Sequence, residues 1–263
     1  MPRIMLIRYD TEASEKEEMA GFLEKVLEVH RRDAIPATFF CRGGALDARP
    51  EAFRRFHAQV KDDPLFDLQD HSYTHIGIGY ERGKPLEVLR ADYEKSFAAH
   101  ERVFGKRPLG VSICGTSGAD GARLPGFDAT EKSRAEFEML AALGVRMINT
   151  FLAGRDESKE FLHYGALGHP EIMGFPSAHS DTSWLYSRGK EVPGGVQTML
   201  KVIEERAQRG EHCPVMLHDW LAWNHAPDKE LGHVRLFAAR GRELGFRLAT
   251  HYECHQEAAL WCC

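Results

Sequence analysis

The 263-residue chain has no apolar run near the roughly 18 residues of a membrane span. Its first apolar run, Ile4-Met5-Leu6-Ile7, is stopped at once by Arg8 and Asp10. That is too short for the apolar part of a secretory signal, so the sequence reads as a soluble cytoplasmic protein without a membrane span. There is no basic excess either. With 34 Lys and Arg against 39 Asp and Glu, the formal charge is -5, which argues against a nucleic-acid partner. Cysteines are few, at positions 41, 114, 213, 254, 262 and 263, and none forms the Cys-x-x-Cys pair of a structural zinc site. Cys41, Cys114 and Cys213 lie in apolar runs and read as small buried hydrophobes. Only the terminal group His251, Cys254, His255, Cys262 and Cys263 has the makings of a metal tail. No repeat, low-complexity tract or linker divides the chain, and 43% hydrophobic residues suffice for a sizeable core, so residues 1–263 are expected to form one domain.

Short apolar runs alternate with longer segments of helical period, the pattern of a mainly parallel sheet wrapped by helices. Strands are expected at Ile4–Ile7, Ala37–Cys41, Phe66–Leu68, Gly110–Ile113, Arg146–Asn149, Ile172–Phe175, Cys213–Leu217 and Phe246–Ala249. Met19, Phe22, Leu23, Val26 and Leu27 mark one amphipathic helix, and Leu86, Leu89, Tyr93, Phe97 and Phe104 another. Further helices fit Arg134–Leu143, Val196–Arg209 and Lys229–Leu244. Eight strands with about as many helices suggest an irregular α/β barrel, with a doubly wound open sheet as the alternative. Two long irregular stretches, Cys114–Glu131 and Phe151–Arg188, are candidate walls of a substrate groove.

Polar residues suited to metal or proton chemistry recur just past the ends of separate expected strands, the rim where α/β folds build active sites. Asp10 and Glu12 follow the first, His71 and His75 the third, and His218 and Asp219 the seventh. Two imidazoles four residues apart can share one face of a helical turn and chelate one ion. A chain with 14 histidines also produces such a pair by chance. Asp10 and Glu12 point the same way if the backbone is extended, so one can complete a metal site while the other acts as a base. Equally, this acidic stretch around Thr11 can simply start the following helix. His218, at a strand end, suits a proton donor or a structural histidine.

The order of these segments resembles the polysaccharide deacetylases, the NodB-homology group of carbohydrate esterases. The likeness runs from about Ile4 to His218 and rests on Leu6-Ile7-Arg8-Tyr9-Asp10, Pro36-Ala37-Thr38-Phe39-Phe40, His71-Ser72-x-x-His75 and Leu217-His218. It implies an irregular (β/α) barrel of seven or eight mainly parallel strands and one divalent metal, commonly zinc. It also implies His71, His75 and Glu12 as ligands and Asp10 as catalytic base, in an Asp-x-Glu variant of the opening motif, though exchange of the two carboxylate roles stays open. His218 is then the proton donor, Asp181 the acid that orients it, Trp184 a groove wall and Leu217 a neighbour of the acyl pocket. One departure stands out. Ser112 sits where the family carries an arginine that pairs with the base, and a hydroxyl cannot replace a cation. Arg8 and Arg107 are the candidates to serve instead, or the pH dependence and substrate differ from the usual deacetylase, with Ser112 among the substrate-binding residues.

The activity this implies is metal-dependent removal of an acetyl or formyl group from an aminosugar or saccharide. The alternatives are a same-fold hydrolase of a small non-sugar amide, such as a ureide or cyclic imide, and a non-catalytic carbohydrate-binding barrel. The sequence leaves the oligomeric state open.

Overall fold

The first strand, β1 (Ile4–Thr11), is buried along its whole length, as a strand covered on both faces of a parallel sheet must be. It anchors the computed structural model, which describes residues 3–78, 83–114, 134–150, 161–176, 180–187, 189–225 and 229–261. The other strands are β2 (Ala37–Cys41), β3 (Phe66–Asp70), β4 (Gly110–Ser112), β5 (Met147–Thr150), β6 (Leu162–Tyr164), β7 (His169–Pro176), β8 (Tyr186–Ser187), β9 (Lys190–Glu191), β10 (Cys213–His218) and β11 (Arg247–Ala249). Helices α1 (Ala20–Arg32), α2 (Gly43–Ala48), α3 (Pro50–Val60), α4 (Leu86–Phe104), α5 (Arg134–Ala142), α6 (Asp181–Trp184), α7 (Gly195–Arg209), α8 (Asp219–Asn224), α9 (Gly232–Glu243) and α10 (His251–Trp261) connect them.

One large sheet runs in the order β10-β1-β2-β3-β4-β5-β7-β6, with β11 also paired to β1. All its ladders are parallel except β6 with β7, and β8 and β9 form a separate antiparallel hairpin. Among the described residues no ladder joins β10 to β6 or β7, so the expected barrel is not closed. A single parallel bridge, Ser180 to Met216, brings the chain after β7 onto β10.

Period decides how the helices pack. Phe22, Val26 and Val29 of α1 and Phe53, Phe56 and Val60 of α3 recur every three or four residues and are buried. Helix α4 ends where Gly105 takes φ 71°, a left-handed cap that glycine adopts without penalty. Gly43 in α2 admits the close approach of α4, because a Cβ there would stand 2.8 Å from the Ser96 Cα. Tyr9 stacks on Phe39 at 5.1 Å between ring centroids and Phe39 on Phe66 at 6.0 Å, tying the first three strands together. The Tyr9 hydroxyl meets His30 Nε2 at 2.9 Å, and His30 Nδ1 donates to the Ile35 carbonyl at 2.8 Å.

All eight expected strands are present, as is each expected helix. The helices α2, α3, α6, α8 and α10, the short β6, and the β8–β9 hairpin are additions. Of the two expected irregular stretches, residues 115–131, 151–160, 177–179 and 188 lie outside those described, and the described part of the second holds β6, β7, α6 and β8. The terminal group gives no ligand cluster among the described residues. His251 is buried, with Nδ1 on Thr38 Oγ1 at 2.9 Å and Nε2 on Asn149 Nδ2 at 2.8 Å, and Cys254 packs beside Ile4 and Leu6. Cys262 and Cys263 lie outside the described residues.

Candidate active site

Parallel strands deliver their carboxyl ends to one rim, and register aligns what stands there. Asp10 of β1 is paired with His218 of β10, and Asp70, the last residue of β3, is paired with both Cys41 and Val111. His71, Ser112 and Glu12 therefore arrive at the same edge from three strands.

The loop carrying the two histidines is not the helical turn that their spacing suggests. Residues 71–76 form no helix, and Ser72 (φ 55°) and His75 (φ 62°) both take left-handed backbone. Such conformations cost of order 1 kcal/mol or more and persist where the surroundings over-determine them. Here they do. Asp70 Oδ2 accepts from the Ser72 N–H at 2.8 Å and Asp92 Oδ1 from the Tyr73 N–H at 2.8 Å, while Ser72 Oγ accepts from the Ile76 N–H at 3.0 Å. Asp70 is itself held by the Ser96 hydroxyl and lies 3.3 Å from His100 Nε2. The result places the His71 and His75 rings 5.0 Å apart at their centroids.

Glu12 Oε2 lies 3.0 Å from His75 Nε2 and 3.6 Å from His71 Nε2. Its other oxygen, Oε1, accepts from the Trp220 indole N–H at 2.9 Å. Asp10 Oδ2 is 3.7 Å from His71 Nε2, one step further from the imidazoles. His71 Nδ1 faces the Ser112 carbonyl at 3.2 Å, which fixes the tautomer with Nε2 turned inward. A tetrahedral ion with bonds of 2.0–2.1 Å to nitrogen and oxygen separates its ligands by about 3.3 Å, so the spacing of Glu12 from each imidazole fits a divalent cation. A second trio, one donor atom each from His71, His75 and Cys114, lies mutually within 4.8 Å. Electrostatics agree with a cation's place. Burial works against the His71 imidazolium, yet Cys114, Asp10 and Glu12 hold its pKa well above the ordinary value. Burial likewise pushes the Glu12 carboxyl up, and the two imidazoles outweigh it, drawing that group far below the usual range.

Arg8 supplies the cation that Ser112 does not. Its guanidinium is buried beside Asp10, with Nη2 3.4 Å from Asp10 Oδ2 and Nη1 donating to Ser112 Oγ at 2.5 Å, and it lies 5.4 Å over the Phe40 ring. Ser112 Oγ in turn donates to Asp10 Oδ1 at 3.4 Å. Arg107, the other candidate, is paired with Glu101 at 3.6 Å and stacked over Phe97, so it takes no part.

His218 Nδ1 sits 2.6 Å from Asp181 Oδ1, and its backbone N–H donates to Asp181 Oδ2 at 2.7 Å. The Ser180–Met216 bridge brings Asp181 there, as the first residue of α6. Burial opposes the charged imidazole, but Asp181, with Asp10 and Glu12 beyond it, raises its pKa to about 9. The site opens to solvent at His75, whose side chain is 37% exposed against 17% for Glu12 and 11% for His218.

Two expected site residues stand elsewhere, and a third lies in the site without facing solvent. Leu217 is completely buried in the main core, because alternation along β10 sends its side chain opposite to His218. Trp184 is also in that core, edge-on to Phe237 at 5.6 Å. Ser112 is completely buried and serves Arg8, Asp10 and His71 rather than facing outward. Sequence reasoning passed over Trp220 and placed Asp219 on this rim without a role. Trp220 is the indole that reaches the site. Asp219 accepts from the Ala13 N–H at 3.1 Å and the Ser14 hydroxyl at 2.5 Å, fixing the turn after β1. The dipeptide directly after His218 at the strand end was the available signal.

The chain has the α/β fold shared by solved polysaccharide deacetylases of the NodB-homology type. No family model matches its sequence, and no curated protein does. A candidate polysaccharide deacetylase from Mycobacterium smegmatis aligns with TM-score 0.73 and 14% identity, over 98% of this chain and 90% of that one. PuuE allantoinase aligns with TM-score 0.67 and 13% identity, over 97% and 90%. A CE4 family pseudoenzyme from Bacillus anthracis aligns with TM-score 0.57 and 12% identity, over 97% and 66%.

Proposed function

We propose that this protein is a metal-dependent amide hydrolase that removes an acetyl or formyl group from an aminosugar or saccharide. The observation that carries the reading is the approach of Glu12 Oε2 to two imidazoles some sixty positions away, with a second carboxylate, Asp10, beside them. His71, His75 and Glu12 would hold the ion, zinc in the first instance. Bound there, such an ion supplies Lewis acidity to an acyl carbonyl and makes a water easier to deprotonate. Asp10 accepts the proton from the attacking water, its orientation fixed by Arg8 and Ser112. His218, held through Nδ1 by Asp181, has Nε2 available to give a proton to the departing amine as the C–N bond breaks. A pKa near 9 keeps that proton in place at neutral pH.

The allantoinase neighbour favours a second reading, hydrolysis of a small cyclic amide by the same groups. The test is a panel of N-acetyl sugars, formamido sugars and ureides, assayed with the chain reconstituted with zinc and again after chelation. Release of acetate or formate from the sugars, abolished by chelation and restored by zinc, supports the proposal. Cleavage of ureides alone would replace it with the second reading. No turnover on any substrate from a chain with one bound ion would place the protein with the pseudoenzymes instead.

A further inference from the structure

Cys114 lies two residues past Ser112, and the period-two alternation of an extended chain points both side chains toward the same rim. A parallel bridge to Gly77 holds its backbone against the segment that carries the two histidines. Its thiol is buried, with Sγ 3.6 Å from both Nδ1 and Nε2 of His71, 3.3 Å from Ser72 Oγ and 3.4 Å from the His71 carbonyl oxygen. His75 joins it and His71 in the trio of donors within 4.8 Å of one another. Nothing in the hydrolytic scheme uses this thiol.

We propose that Cys114 is a metal ligand, its thiolate joining His71, His75 and Glu12 around one thiophilic divalent ion. The inference rests on the metal-dependent reading above and adds a donor to it. In a tetrahedral zinc site with bonds of 2.3 Å to sulfur and 2.0–2.1 Å to nitrogen, a sulfur and a nitrogen ligand stand about 3.6 Å apart, the separation of Sγ from His71 Nε2. Because Sγ is equally far from Nδ1, the thiol stands over the ring. A bond to an ion held by Nε2 would require the thiol to turn toward that side by rotation about the Cys114 Cα–Cβ bond. As the sulfur–metal bond forms, the S–H bond breaks and its proton leaves to solvent. Charge then balances, since one thiolate and one carboxylate neutralise a dication. A soft donor also sets preference, toward zinc and cadmium and away from magnesium and manganese. Four protein donors would fill a tetrahedral site, so a water could enter only if the thiolate gave way or the ion took a fifth ligand.

The test titrates the metal-free full chain with Cd2+ while following thiolate-to-metal charge-transfer absorption, and with Mn2+ in parallel by calorimetry. The wild type is expected to develop the band to saturation at one ion per chain. Cys114→Ser should lack it and bind Cd2+ more weakly by more than the roughly 10–100-fold lost with an outer-shell partner, with Mn2+ affinity little changed. A band of full size in Cys114→Ser would assign the thiolate to another cysteine and overturn the proposal. Cadmium-edge X-ray absorption of the wild type needs no variant. One sulfur neighbour is expected, and a bound ion with none would overturn the proposal while leaving the hydrolytic site standing. If His71→Ala bound metal as the wild type does, the metal-dependent reading itself would fail.

Discussion

Asp181 and His218 give the sharpest quantitative expectation. Burial alone drives an imidazole toward its neutral form, and here the 2.6 Å contact with Asp181 reverses that, lifting His218 to about 9. Against an ordinary value near 6.5, this is worth about 3 kcal/mol between the two protonation states. The folded pKa is the higher one. The stability contributed by the pair is therefore complete below about pH 6.5 and is lost as pH rises through about 9. In Asp181→Asn burial is opposed only by Asp10 and Glu12, so His218 should titrate well below about 9 and the ring should lose its proton at lower pH than in the wild type. Loss of orientation adds to this, within the roughly 10²–10⁴-fold that a positioned proton donor supplies. The assay is an NMR titration of the His218 ring in metal-free wild type and Asp181→Asn. Turnover is measured alongside on an amide and on an activated ester whose leaving group needs no proton. The variant should lose far more on the amide. An unchanged His218 pKa, or equal losses on the two substrates, would refute the reasoning.

Other perturbations separate the remaining parts. Trp220→Phe removes the hydrogen bond that orients Glu12 and should weaken zinc binding about 10–100-fold, measured by competition with a chromophoric chelator. Asp10→Asn should keep one ion per chain by elemental analysis and lose nearly all turnover, since Glu12 rather than Asp10 stands between the imidazoles. His30 tests the core. Burial depresses its pKa to about 4, so the neutral ring's contribution is present above about pH 6.5 and decays as pH falls through about 4, amounting to about 2 kcal/mol already lost at pH 5. Denaturant unfolding at pH 7 and pH 5 should show that loss in the wild type and a smaller one in His30→Gln, and equal losses in both would count against it.

Much of this was legible in the sequence because apolar runs such as Ala37–Cys41 fix strands, and strand ends fix the rim on which Asp10, His71 and His218 meet. Glu12 was legible from alternation, as the next residue on the same face as Asp10. What escaped depended on contacts through space. Leu217 and Trp184 carry the right residue types, but strand alternation and the packing of Phe237 send them into the core. Cys114 looked like a small hydrophobe because its apolar neighbours gave no hint that His71 packs against its sulfur. The i, i+4 spacing of His71 and His75 suggested a helical turn. Asp70, two residues before Ser72, and Asp92, nineteen residues beyond Tyr73, instead bend that segment through left-handed backbone. The helix α3 is a different case, since Pro50 at its first position and the spacing of Phe53, Phe56 and Val60 were readable and went unread.

The most direct test of the central claim is an anomalous-difference map from crystals grown with zinc, collected on both sides of the zinc absorption edge. A single strong peak within bonding distance of Glu12, His71 and His75, lost in the His71→Ala and His75→Ala double variant, is the predicted result. A map with no peak there, or a zinc ion held elsewhere on the chain with these side chains unengaged, would contradict it.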